Sequence, residues 1–442
     1  MNTVHVVIGS GALGRGVAAA LVARGLTVRL LSRSGTALVP GAESQRIDAS
    51  QGEALREALK DARVVYQCAQ PPYTRWSTDF PILHETILTE TARAGADLVV
   101  ADNLYAYGDP DGSTLTEDSR EEPNSTKGAV RKSIVDQSLA AHRDGRLRVA
   151  VVRAADYFGP GHDQSSSPVF GAATSGRTMR FLGRMNQPRS LSFVPDVTAA
   201  MATIGTSDAG WGRVWIAPVQ PPMTQAQFAE KVWAAAGQSG TPKVRTIGRR
   251  TITALSPVWP LGRELREMLY QVERPFVAES RQFEEAFGVH PTPIDTAIAQ
   301  TVAHYRSSVP QAPAARPGRA WRGVVNAAAA LGVAITLALG IGAGIDIANF
   351  DRTSGGYEAP YEGWTGTPTD WSAGAVTQEG FRNPGIVLDT LFDCTTGMIS
   401  VEAFGWEIEF RVVSERGVAV HKPIESCIDA GFEPDFVPTP GV

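Results

Sequence analysis

The sequence predicts an α/β protein: a doubly wound parallel sheet, a smaller following subdomain, one transmembrane helix and a small β-rich tail. Strands alternate with helices early in the chain, which is typical of a parallel sheet covered on both faces. Residues 323–345 carry no charge over 23 positions, long enough to cross a bilayer. Residues 346–442 then hold 16 acidic and 5 basic side chains, against 30 and 36 before them.

The order of the predicted elements follows from apolar runs and helical spacing. We expect strands over 4–8, 27–31, 63–68, 97–101 and 147–153, and helices over 14–24, 81–94 and 126–142. After Gly159 the alternation weakens and glycine, proline and serine become frequent. This change predicts an irregular substrate-binding subdomain, with helices over 225–236, 258–270 and 293–305, and then a linker.

Length and composition exclude several classes of protein. A chain of 442 residues exceeds what one compact core usually holds, so more than one folding unit is expected. The net charge of −5 gives no overall attraction to nucleic acid. Three cysteines do not make a disulfide-dense scaffold, and the scattered histidines predict no metal site.

The first predicted strand leads into a glycine-rich turn. The motif GxGxxG occupies 9–14 between this strand and a predicted helix. In that context the glycines allow a tight turn, a close approach of backbone to a pyrophosphate, and close packing of helix on strand. The predicted cofactor-binding residues of this loop are Gly9, Ser10, Gly11, Ala12, Leu13, Gly14 and Arg15.

The end of the second predicted strand indicates which dinucleotide is bound. NAD sites usually place an acidic residue there, but this chain has Ser32 and Arg33. The guanidinium of Arg33, together with that of Arg15, is suited to a 2′-phosphate. We therefore expect NADP rather than NAD, unless both arginines are only solvated surface residues.

Further motifs complete a resemblance to the extended short-chain dehydrogenase/reductases, the NAD(P)-dependent epimerase/dehydratase-like family, with its Rossmann-type sheet. They are RIDA at 46–49, VYQCAQP at 65–71, LYAYG at 104–108, VRAADYFGPG at 152–161, FVPDV at 193–197 and PTPI at 291–294. Over residues 1–306 the resemblance implies an epimerase, dehydratase or reductase acting on a small hydroxylated or carbonyl substrate. It also implies cofactor contacts from Asp48, Ala49, Ala69, Gln70 and Asn103.

The chain departs from this family at its catalytic pair, a tyrosine and a lysine four residues apart on one helix. No YxxxK is present, and Lys127 and Arg131 fall at the two positions. The usual serine of the strand end is also missing; Asn103 stands there. The predicted catalytic residues are Lys127, Arg131, Asn103 and Tyr105. Other tyrosines that could donate a proton are Tyr107 and Tyr157, and Lys127 and Arg131 could instead be solvated helix charges.

Two hypotheses of function follow from this departure. The first is an oxidoreductase; the alternative is a catalytically inactive NADP(H)-sensing or interaction module. The predicted domains are an NAD(P)-binding Rossmann domain at 1–160, the substrate subdomain at 161–306, a linker at 307–322, the span at 323–345 and the tail at 346–442.

Arginines before the span and acidic residues after it place the N-terminal part in the cytoplasm and the tail outside the cell membrane. The alternative is an Ala/Gly-rich core helix. Gly340 and Gly344 could pack two spans in a homodimer. In the tail, Cys394 and Cys427 either form a disulfide or remain buried thiols.

Overall fold

The computed structural model describes residues 3–35, 39–256 and 260–307, and four strands between 375 and 411. The chain divides into two compact units, Met1–Gln311 (unit 1) and Ala312–Val442 (unit 2). This division agrees with the expectation of more than one folding unit. The finer domain boundaries predicted above stay predictions.

The strands of unit 1 include all those predicted from the sequence and several short ones in the subdomain. They are β1 Val4–Ile8, β2 Val28–Ser32, β3 Ala42–Arg46, β4 Ala62–Gln67, β5 Asp97–Asn103, β6 Val149–Ala154, β7 Asp156–Phe158, β8 Met179–Leu182, β9 Pro188–Arg189, β10 Leu191–Phe193, β11 Val214–Ile216, β12 Met223–Thr224 and β13 Val244–Ile247.

The helices of unit 1 lie between these strands and at its C-terminal end. They are α1 Ala12–Val22, α2 Gly52–Ala58, α3 Trp76–Arg93, α4 Thr126–Arg143, α5 Asp163–Ser166, α6 Ala172–Thr174, α7 Val194–Gly205, α8 Gln225–Ala235, α9 Arg249–Leu255, α10 Pro260–Glu267, α11 Tyr270–Glu273, α12 Arg281–Phe287 and α13 Ile294–Ser307. Two 3₁₀ turns, Tyr73–Arg75 and Leu104–Tyr107, follow β4 and β5.

A seven-stranded parallel sheet with the order β11-β6-β5-β4-β1-β2-β3 forms the centre of unit 1. The order reverses beside β1, so a crevice opens at the carboxyl ends of β1 and β4. This is the predicted Rossmann-type sheet. Its loops after β1, β2, β3, β4 and β5 all reach the same edge, which is where the predicted site residues lie.

Successive residues of β1 serve two different cores, one on each face of the sheet. Val6 and Ile8 pack with side chains of α2, α3 and α4, whereas Val7 packs with α1 and α7. Because both faces are covered, the strand is apolar throughout, and each fully buried Val or Ile contributes about 1.5–3 kcal/mol. A third, aromatic core holds the subdomain, with Phe158, Phe170 and Phe193 buried together.

Two predicted helices differ from the observed ones. The 81–94 prediction begins too late, because α3 starts at Trp76 and contains Pro81 in its second turn. Burial of Trp76 and Phe80 against the sheet outweighs the preference of proline for a first turn. The 258–270 prediction is wrong as one helix: the structure has α10 and α11 there, and α9 before them was not predicted.

The predicted membrane span at 323–345 and both tail cysteines lie outside the described residues. Within the described part of the chain, no helix is long and apolar enough to cross a bilayer. Unit 2 contains a four-stranded antiparallel sheet with strands β14 Ala375–Asn383, β15 Ile386–Asp393, β16 Met398–Ala403 and β17 Trp406–Arg411. These strands agree with the predicted β-rich tail.

Candidate functional site

The turn between β1 and α1 has the backbone geometry that the glycine motif predicts. Gly9 has φ +109°, and a Cβ on it would lie 2.7 Å from the backbone nitrogen of Ala69. A Cβ on Gly14 would lie 1.8 Å from the Gly9 carbonyl oxygen. Neither position therefore accepts a side chain without moving backbone, and the two glycines hold α1 tightly against the ends of β1 and β4.

Gly11 differs from its neighbours because nothing lies within 4 Å of the place where its Cβ would be. It is the N-cap of α1, so the first N–H groups of that helix, at Ala12 and Leu13, face the same opening. A helix N-terminus with open space in front of its cap fits a dinucleotide pyrophosphate. The loop is therefore suited to the cofactor, with Ser10 and Gly11 nearest the opening.

The ends of β2 and β3 lie next to each other, with Ser32 paired in register with Arg46. The Ser32 hydroxyl accepts a hydrogen bond from the Gly35 amide at 3.0 Å, while Arg33 is exposed. Asp48 accepts from the Ser50 hydroxyl at 2.7 Å and from its amide at 3.0 Å. These bonds, and also the charge of Arg33, lower the pKa of Asp48.

Arg15 lies on the exposed side of α1, where its Nη1 donates to the Ser10 carbonyl oxygen at 2.7 Å. A Cβ on Gly161 would lie 3.2 Å from Arg15 Nη2, so this guanidinium reaches the loop after β7. The structure therefore places Arg15 at the mouth of the glycine loop. It does not bring Arg15 and Arg33 into contact.

Ala49, Ala69 and Gln70 follow β3 and β4, as the resemblance implies. Gln70 links the cofactor edge to α4, because its Oε1 accepts from Arg131 Nη2 at 2.9 Å. Arg131 also donates to the Ala101 carbonyl oxygen at 3.2 Å and lies over the Trp76 ring at 4.4 Å. It is 5% exposed, so the interpretation of Arg131 as a solvated helix charge is wrong.

Behind Arg131 lies a buried group of charges at the end of β5 and β6. Asp102 accepts from Arg153 Nε at 2.9 Å and lies 3.5 Å from Arg131 Nη1. Arg153 has no exposed surface and also pairs with Glu121 at 2.6 Å. Charges taken out of water in this way persist only when paired, so Asp102 holds both arginines in place.

Lys127 is 2% exposed and also is not a solvated helix charge. Its ammonium pairs with Glu264 and with Glu267, the latter at 3.2 Å, and lies 4.4 Å from the centre of the Tyr73 ring. Glu267 in addition accepts from the Thr126 amide at 2.8 Å, at the first turn of α4. Its ammonium therefore forms ion pairs with two carboxylates of α10 at the start of α4.

Tyr105 lies in the 3₁₀ turn directly after β5, where the Asn103 side chain accepts from its backbone amide at 3.1 Å. Burial raises the pKa of the Tyr105 hydroxyl, while a hydrogen bond from Tyr73 and the charges of Arg131 and Arg189 lower it. The phenol is thus neutral, with a donor and two cations ready to stabilise its anion. Asn103 serves as the cap of this turn.

The other two candidate tyrosines occupy different surroundings. Tyr107 is 3% exposed and its ring lies 4.5 Å from the Arg153 guanidinium carbon, facing the buried charges rather than the crevice. Burial raises the pKa of Tyr157, and the charge of Arg131 lowers it. Tyr157 stacks near His162, with ring centres 5.3 Å apart. It therefore lines the same region as Tyr105, on the side of the subdomain.

Sequence reasoning missed Tyr73, the pair Glu264 and Glu267, and the ion pair between the buried Arg189 and the partly exposed Asp156. Burial lowers the pKa of Arg189 to about 10. Tyr73 follows β4, but no sequence motif marks it. The two glutamates are more than 130 residues from Lys127 and carry no motif. In the described ranges, no group of acidic, histidine and cysteine side chains is suited to a metal ion.

Comparison with known families agrees with these motifs. Residues 5–215 match the model of the NAD dependent epimerase/dehydratase family. The matched part of unit 1 contains the glycine loop, Tyr105 and α4, and the match agrees with the resemblance to extended short-chain dehydrogenase/reductases. No curated protein matches the sequence.

Solved structures resemble unit 1 over nearly their whole length. UDP-glucose 4-epimerase of Thermus thermophilus, in complex with NAD, has a TM-score of 0.57 at 20% identity, covering 69% of this chain and 100% of that one. dTDP-glucose 4,6-dehydratase of Bacillus anthracis, in complex with NAD, has a TM-score of 0.58 at 16% identity, covering 69% of this chain and 97% of that one. UDP-glucose 4-epimerase of Thermotoga maritima, with UDP-glucose, has a TM-score of 0.56 at 16% identity, covering 69% of this chain and 99% of that one. At these identities the likeness shows the fold.

Proposed function

We propose that unit 1 is an NAD(P)-dependent oxidoreductase that interconverts a hydroxyl and a carbonyl group of a sugar nucleotide or similar small substrate. The glycine loop, the family domain and the substrates named for the similar structures support this proposal. NADP is the proposed cofactor, because Arg33 follows β2 where an acidic residue would select NAD.

The observation that carries an enzymatic function is the surroundings of Tyr105. The family normally pairs a tyrosine with a lysine, and this chain has neither at those positions. Tyr105 nevertheless has a hydrogen bond from the Tyr73 hydroxyl and the fixed charge of Arg131 nearby. An arginine keeps its charge at all working pH values, so it stabilises a phenolate without itself titrating.

In the proposed mechanism the glycine loop would hold a nicotinamide dinucleotide, which would serve as the hydride acceptor or donor for the substrate carbon. Tyr105 handles the accompanying proton: the neutral phenol gives its proton to the substrate oxygen when a carbonyl is reduced, and the phenolate that remains is reprotonated from solvent. Oxidation of a hydroxyl runs these steps in reverse, so Tyr105 must first lose its proton to solvent before it takes one from the substrate. Tyr73 donates to the Tyr105 oxygen while the negative charge is present. Asp102 keeps Arg131 oriented toward this region, and Gln70 fixes its other side.

The test replaces Tyr105 by phenylalanine and uses Tyr107→Phe as its matched control. Each variant of the 1–311 unit is mixed with NADP⁺ and either UDP-glucose or dTDP-glucose, and reduced cofactor is followed by absorbance. General acid–base catalysis contributes about 10²–10⁴-fold, so Tyr105→Phe should lose that factor without losing cofactor binding. Tyr107→Phe should stay near wild type, since Tyr107 faces Arg153 and the buried charges rather than the crevice.

Full activity in Tyr105→Phe would contradict the assigned role of Tyr105. Cofactor binding without hydride transfer to any substrate tested would favour the second candidate, an inactive NADP(H)-sensing or interaction module. One observation favours that candidate: Lys127, at the position of the family's tyrosine, is buried in ion pairs with Glu264 and Glu267.

We further propose that residues 323–345 anchor the protein in the cell membrane as a single span, with unit 1 in the cytoplasm. The charge-free stretch and the arginines before it support this topology. Fractionation followed by alkaline carbonate extraction tests it. The full chain should stay in the membrane pellet, and its release as soluble protein would contradict the span.

A further inference from the structure

A dense group of basic side chains lies on the subdomain, outside the nucleotide crevice. Residues 171–184 and 237–250 contain no aspartate or glutamate. Within them lie seven basic residues, of which Arg184 pairs with Glu273. The other six form what we call the basic strand pair: Arg177, Arg180, Lys243, Arg245, Arg249 and Arg250. Across the described part of the chain, the side chains of Arg177, Arg245, Arg249 and Arg250 make no ion pair.

The backbone concentrates these charges on one surface. β8 and β13 pair in parallel, and their register places Arg180 directly beside Arg245. The neighbours of Arg180 in β8, Met179 and Phe181, point into the aromatic core, so Arg180 faces away from it. The register therefore places these two arginines side by side on the face that points away from the aromatic core.

The remaining basic residues extend the same surface along the edge strand. Lys243 precedes β13 and Arg249 follows it, which gives a row about 20 Å long at the usual rise per residue. A row of cations on one surface is suited to the anionic headgroup region of a bilayer.

The chain leaves unit 1 beside this surface. Near the end of α13, Arg306 donates to the Ala235 carbonyl oxygen at 3.4 Å. The residues after α8 continue to the basic strand pair: a Cβ on Gly176 would lie 3.2 Å from Gln238 Oε1, and Lys243 Nζ donates to the Gly176 carbonyl oxygen at 2.9 Å. The segment that follows Ser307 in sequence carries three more arginines before the charge-free stretch.

From the charge row and the adjacent chain exit, we infer that the basic strand pair is a contact surface for anionic phospholipid headgroups. It would hold unit 1 against the bilayer. This inference goes beyond the proposed redox function and does not depend on it. It also requires no contribution from residues 323–345, so it can be tested without them.

The test uses residues 1–311, which form a compact unit with their own cores. The protein is sedimented with vesicles of phosphatidylcholine alone and with vesicles containing about 30% phosphatidylserine, at low and high salt. We expect binding only to the anionic vesicles and its loss at high salt. Arg245→Gln/Arg249→Gln should weaken it roughly 25-fold, since each basic residue contributes about fivefold near such a surface.

The matched control is Arg143→Gln/Arg146→Gln, which removes the same charge from the end of α4 and the turn after it. This variant should bind the anionic vesicles like wild type. Equal weakening by both variants, or equal binding to both kinds of vesicle, would overturn the inference. So would tighter binding of the same surface to duplex DNA or RNA than to the vesicles. Titration of dinucleotide onto the two variants reports the proposed redox site separately.

Discussion

The two halves of the crevice are built in different ways. On the β1 side the site is made by backbone: Gly9 and Gly14 leave no room for side chains, and Gly11 leaves its space open. On the β5 side the site is made by buried side chains, with Arg131 and Arg153 held by Asp102. Where backbone forms the site, as in the glycine loop, the glycines are required and the sequence motif is fixed. Where buried side chains form it, other residues can take their place as long as the charges remain paired.

The largest effect should come from breaking the charge pairing of the β5 side. Asp102→Asn leaves Arg131 and Arg153 buried with less negative charge, and removing one partner of a buried pair costs about 3–5 kcal/mol. We expect that loss in the free energy of urea-induced unfolding of residues 1–311. Asp208→Asn is the control, because this carboxylate is 99% exposed and lies 3.8 Å from Arg148. A change below about 1 kcal/mol in Asp102→Asn would contradict the pairing.

On the β1 side, a substitution that adds a Cβ should disrupt the backbone of the glycine loop. Gly14→Ala places a Cβ 1.8 Å from the Gly9 carbonyl oxygen, so the loop must shift at a cost of about 1–3 kcal/mol. The Tm should fall and dinucleotide binding should be lost. Gly11→Ala meets no atom within 4 Å and should keep the wild-type Tm while it weakens dinucleotide binding. Unchanged binding in Gly11→Ala would show that no ligand occupies this opening.

Acid should lower the free energy of unfolding of unit 1, because two of its histidines are buried in the neutral form. Burial, and then the charge of Arg131, lowers the pKa of His84 to about 4. Since the unfolded chain binds this proton near pH 6.5 and the folded chain does not, stability falls as the pH drops from about 6.5 to 4. The loss is about 2 kcal/mol between about pH 7 and pH 5.

Urea unfolding at several pH values measures this loss. The slope of the unfolding free energy against pH reports how many more protons the unfolded chain binds, and His84→Gln should reduce that number by about one. His5, whose pKa burial and then Arg63 also lower to about 4, supplies the same effect on the β1 side. It stays in the His84→Gln variant, so part of the slope should remain. An unchanged slope in His84→Gln would mean that His84 is protonated in the folded protein.

The same contrast explains what the sequence could predict. The strands and helices, the glycine loop and the positions of Arg131 on a helix and Tyr105 after a strand follow from local patterns, because periodicity and turn residues are properties of neighbouring residues. The burial of Lys127 between Glu264 and Glu267 does not, because those partners come from a distant helix. Tyr73 was overlooked for a similar reason: only the fold shows that its hydroxyl reaches Tyr105.

The proposal that the glycine loop binds a dinucleotide and that Arg33 selects NADP can be tested by calorimetry. NADPH and NADH are titrated onto residues 1–311 and onto the Arg33→Ala variant. We predict that NADPH binds more tightly than NADH, and that Arg33→Ala weakens NADPH binding by roughly tenfold or more while NADH binding is unaffected. No binding of either dinucleotide, or tighter binding of NADH that is unchanged by the substitution, would contradict this proposal.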